Sequence, residues 1–92
     1  MDFTKIDEGL RKLMIMQINS EIRSADPDQE RSRLEAHYGQ GKVWDTQELS
    51  AEFEVLGFLA PFVIVKHKIT DQKGSLLFQH QPRFYFAEHA HH

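Results

Sequence analysis

Six histidines stand among the 92 residues, and a neutral imidazole is the commonest metal ligand. His89, His91 and His92 crowd the last four positions, where a chain end holds ligands poorly. His67 and His80 fall on the two arms of a predicted hairpin and could face each other. Two imidazoles without a neighbouring carboxylate or thiolate make an incomplete zinc set, so no metal ligand is assigned. The most unusual stretch is His80-Gln81-Pro82-Arg83-Phe84-Tyr85-Phe86, which sets a titratable ring, a cation and aromatics beside a chain bend. One reading is a small-ligand or peptide site, with Arg83 holding an anion and Tyr85 or Phe84 stacking. The simpler reading is a sheet edge whose aromatics are core and whose Arg83 pairs with an acidic helix.

Other chemistry finds little support. There is no cysteine, which excludes disulfides, thiolate metal sites and thiol nucleophiles. Ser20, Ser24, Ser32, Ser50 and Ser75 have no nucleophile-elbow context. Gly39 and Gly41 are neither preceded by a strand nor followed by Lys-Ser/Thr, so they cradle no phosphate. The acidic residues read as solvated helix faces. No catalytic residue and no cofactor are expected, and the protein is expected not to be an enzyme.

These residues must be positioned by helices first and strands second. Ile6, Leu10, Met14, Ile18 and Ile22 recur every fourth residue, with Leu13 beside them, and predict a helix over 5–24. Ile15 and Met16 fall on either side of that stripe, which makes the apolar sector wider than one sheet contact requires. Asp26-Pro27-Asp28-Gln29 is a start signal for a second helix ending at Gly39. Its Arg31 and Glu35 are spaced for an ion pair, and Leu34 and Tyr38 supply its core contacts. Asp45 and Glu48 form a capping box for a short helix over 46–53, with Trp44 stapled onto Leu49. Beyond it, 55–59 and 62–69 are strand-like, and Thr70-Asp71-Gln72-Lys73-Gly74 is a polar hairpin loop, with a return strand over 74–81 pairing back around Asp71–Lys73. Pro82 marks an edge, a strand end or a bulge before 83–86 resume.

Thr46–Phe53 resembles the first helix of helix-turn-helix domains in its apolar spacing, and the wider element order would suit a winged helix. That resemblance implies nucleic-acid binding. The following segment should then be a basic recognition helix, but 55–65 is apolar, holds Gly57 and Pro61, and carries no Lys or Arg.

Net charge is −3, unevenly spread. Residues 1–54 hold seven Lys/Arg against twelve Asp/Glu, and 55–92 hold four against two. The basic excess of the second half is small for a phosphate-binding surface. The first residues show no basic stretch followed by an apolar run, and no span approaches the roughly 20 apolar residues of a membrane helix. A cytoplasmic location without membrane contact is expected.

The expectation is one α+β domain over 1–88 with a flexible His-rich tail over 89–92. Its N-terminal helices pack on one face of a three- or four-stranded antiparallel sheet that ends in a C-terminal β-hairpin. The core is expected from Leu10, Leu13, Met14, Ile18, Leu49, Phe53, Val55, Phe58, Val63, Val65, Leu76, Phe78, Phe84 and Phe86. The expected function is a small, non-enzymatic interaction or assembly module that self-associates as a homodimer, with room for a further protein partner. The alternative is a winged-helix-like nucleic-acid binder. Candidate surface residues are Ile15, Met16, Ile22, Trp44, His80, Arg83 and Tyr85.

Overall fold

A computed structural model describes residues 7–91. Among the described residues three helices, α1 (Glu8–Ser20), α2 (Pro27–Tyr38) and α3 (Thr46–Glu52), precede four strands. The strands are β1 (Phe53–Leu59), β2 (Phe62–His67), β3 (Lys73–Gln79) and β4 (Phe84–Ala90). They form one antiparallel sheet in the order β1-β2-β3-β4, each strand beside its sequence neighbour. Among the described residues no helix is long and apolar enough to cross a membrane.

Local chemistry sets the helix ends. Asp7 accepts from Gly9 N and starts α1, while positions 5 and 6 of the expected helix lie outside the described residues. The helix stops at Ser20 rather than 24, because the N–H groups of Arg23 and Ser24 leave the helical path to donate to Glu30. Asp26 caps α2 through Asp28 N, and Pro27 occupies its first turn. Gly39, at φ 110°, closes α2 in a conformation that costs glycine little. The capping box of Asp45 and Glu48 forms in full at 2.7 and 2.9 Å. Phe53 leaves α3 for β1, one residue earlier than the expected helix end.

The helices cover both faces of the sheet, not one. On one face Trp44 and Leu49 pack with Phe53, Val63, Val65, Leu76, Phe78 and Tyr85. On the other, Leu34 and Val43 pack with Phe84 and Phe86, joined by Ile18 and Tyr38. Alternation along β3 and β4 sends adjacent residues to opposite clusters, as a period of two requires. Trp44 enters the first core because its main chain pairs with Tyr85 in both directions at 2.9 Å. Its indole then meets Phe53 edge-on, and Leu49 shares the same cluster, so the staple is real.

The expected hairpin of β2 and β3 forms, with Phe62 opposite Leu77 and Lys66 opposite Lys73, but β2 ends at His67, and Lys73 and Gly74, expected in the loop, are paired as the first residues of β3. The two irregularities of the sheet lie in the edge strands. In β1 the register slips between Val55 and Gly57, and in β4 two residues, Ala87 and Glu88, stand where β3 supplies only Leu76. Ala87 takes φ 57° there. The expected tail from 89 onward belongs to β4 through Ala90: His89 lies opposite Ser75 and Ala90 opposite Gly74. A Cβ on Gly74 would stand 2.8 Å from the His89 carbonyl oxygen, so this strand pairing needs glycine. Four expected core residues, Leu10, Leu13, Val55 and Phe58, are exposed.

Candidate interaction surface

α1 is the most apolar helix, yet it buries no residue completely. It crosses the end of the sheet, where Asn19 Oδ1 accepts from His80 N at 3.0 Å and Arg11 donates to the Ala60 carbonyl at 3.4 Å. These anchors rotate the helix. Met14, Ile15 and Ile18 become partly buried, while Leu10, Leu13 and Met16 turn outward at 51, 63 and 67% exposure. At about 100° per residue, Leu10, Leu13, Met16, Gln17 and Ser20 fall within an arc of about 120°. No charge lies in that arc, because Glu8, Arg11 and Lys12 project elsewhere, and Glu8 and Lys12 pair with each other at 3.7 Å. Beside α1, Met14, Phe62, Leu77 and Ala87 line an apolar groove of about 320 Å³, with Ser75 and His89 as its polar margin.

A second exposed apolar strip lies on β1. Val55, Leu56 and Phe58 are exposed beside the free edge of the sheet. The opposite edge differs near its start, where Tyr85 of β4 pairs with the main chain of Trp44.

The remaining candidates separate. Ile15 and Ile22 are half-buried, and Trp44 and Tyr85 are core. Phe84 and Tyr85 are therefore closed to the stacking role proposed for them, because β4 points them into opposite clusters. His67 and His80 do not face each other: β2 and β3 run antiparallel, so His67 sits at the loop end and His80 beyond the far end of β3. His67 lies 3.9 Å from Glu52 instead. His80 and Arg83 do meet. A guanidinium only donates, so the 3.1 Å contact makes His80 Nδ1 the acceptor. Arg83 also lies over the Phe78 ring at 5.0 Å, and no carboxylate partner holds it among the described residues. No group of three His, Asp or Glu suited to a metal occurs among the described residues. The segment after α3 is a strand, where a helix-turn-helix domain requires a second helix.

One polar cluster went unread in the sequence. Glu30, on α2, has no exposed surface. It accepts from Arg23 N at 2.6 Å, Ser24 N at 3.0 Å, Gln79 Nε2 at 3.1 Å and the Arg33 guanidinium at 2.8 Å. Burial pushes its carboxyl upward, but the hydrogen bonds from Arg33, Arg23 and Gln79 and the Arg33 charge outweigh it and bring the pKa down to about 2. Every bond is internal, so the cluster joins the α1–α2 connection to β3 and offers nothing to a ligand. No local signal marks it, since Gln79 lies far along the chain.

Comparison with family models, with curated proteins and with solved structures found no match.

Proposed function

We propose that the protein is a non-enzymatic assembly module that self-associates by packing α1 against α1 of a second copy. The observation that supports this most is the uncharged outer arc of Leu10, Leu13 and Met16 on a helix that buries none of its residues fully. A copy of the same arc is a suitable occupant, because an isologous contact meets no like charge across it.

Magnitudes set the expected strength. Fully burying a large apolar side chain contributes about 1.5–3 kcal/mol. The three residues are a little over half exposed, so two copies together gain about 5–10 kcal/mol from this stripe. Association costs about 4–15 kcal/mol, which leaves the stripe alone marginal. The groove along Met14 and Leu77 adjoins it and supplies further apolar area. The expectation is weak, reversible association.

Sedimentation of the chain and of Leu13→Glu tests this. The expected result is a mass above 10.8 kDa that falls for the folded variant. A 10.8 kDa species for the unsubstituted chain at every concentration overturns the reading.

A further inference from the structure

We propose that the free edge of β1 is a second, separate self-association interface, in which two copies pair β1 antiparallel and join their sheets. β1 closes one end of the sheet; Phe53 N–H donates to Leu49 at the end of α3, and from Glu54 to Leu59 no bond from another element to its outer backbone is found among the described residues. Natural edges are commonly blunted by lysine, proline or a bulge. The segment Phe53–Leu59 has no lysine or proline and Glu54 is its one charged residue; its bulge at Leu56 would face the same bulge of a second copy.

The bulge decides the register. Val55 lies opposite Val65 and Phe58 opposite Val63, and Val63 and Val65 share one core cluster. The extra residue at Leu56 therefore sets Val55 and Phe58 on the same face, although three positions separate them. Strands paired antiparallel keep facing residues on one face. A two-fold pairing that places Val55 opposite Phe58 of the other copy satisfies this rule and occurs twice across the seam. Both side chains are exposed, and Phe58 already continues the core by meeting Phe78 edge-on at 5.7 Å. The same register sets Glu54 opposite Leu59, so no like charges meet, and Glu54 keeps its 3.5 Å contact with Lys66. The edge is thus complementary to itself in charge, face and apolar content. Together with an α1 contact, it gives each copy two isologous surfaces, so association does not close at the dimer.

The test uses the absence of native cysteine. Val55→Cys and Phe58→Cys are made separately in the full chain carrying Leu13→Glu, which removes the α1 contact. Mixed under mild oxidation, the two should form a mixed disulfide at least about tenfold faster than either forms with an exposed Ser50→Cys control, because pairing raises the local thiol concentration. Equal rates overturn the proposal. Hydrogen exchange on the chain with Leu13→Glu alone guards against a cysteine that disturbs β1. Amides of 54–58 should gain protection as concentration rises, and protection independent of concentration also overturns it. Loss of the α1 contact leaves both readouts in place, so the two interfaces fail separately.

Discussion

α1 and α2 share one face of the sheet and are held there in opposite ways. α2 is polar almost throughout, yet it buries Glu30 and Leu34 completely enough to fix its place. α1 carries far more apolar surface and buries nothing completely. Apolar content and burial have thus come apart. A helix more apolar than its own fold requires is the physical reason to expect a partner, whereas α2 spends its few good contacts internally.

That contrast can be broken at several points. The largest effect is expected away from both helices, at their shared frame: Trp44→Ala removes an indole from the core and its contact with Phe53, and should cost about 3–5 kcal/mol in denaturant unfolding. Glu30→Ala should cost about 3 kcal/mol, because Arg33, Gln79 and two backbone N–H groups lose their acceptor. An unchanged unfolding midpoint for Glu30→Ala would show that α2 is held by Leu34 alone.

The same group gives a pH signature. The folded pKa of Glu30, about 2, lies below its ordinary 4.5. Its contribution, about 3 kcal/mol, is therefore complete above pH 4.5 and disappears as pH falls from there toward 2. Glu30→Gln should flatten the stability profile in that window. A profile equally steep in the variant would assign the acid loss to other carboxylates. A smaller effect is expected from Asp45→Ala, about 0.5–2 kcal/mol, since the cap joins Arg31 and Glu48 in linking α2 to α3.

Much of this architecture was legible. Capping residues Asp26 and Asp45, the Trp44 staple, the hairpin loop before Gly74 and the break at Pro82 act within a few residues, and their signals are local. The orientation of α1 was not legible. The sequence shows an apolar sector, but Asn19 bonded to His80 and Arg11 to Ala60 decide which part faces the sheet. For the same reason Leu10 and Leu13 were expected inside and stand outside. Val55 and Phe58 read as core and stand exposed, because strand-like composition does not reveal which strand becomes an edge. Glu30 gave no sign, because its burial depends on a glutamine on β3.

The smallest effect on stability should come from the substitution aimed at the proposed α1 contact. Leu13 and Met16 are mostly exposed, so the double substitution Leu13→Glu, Met16→Glu should shift the unfolding free energy by no more than about 0.5 kcal/mol, measured at concentrations where the chain is monomeric. Sedimentation equilibrium of this variant beside the unsubstituted chain, across micromolar concentrations, tests the central claim most directly. The prediction is an average mass above 10.8 kDa for the chain and a lower one for the folded variant at every matched concentration. Identical masses for the two would contradict it.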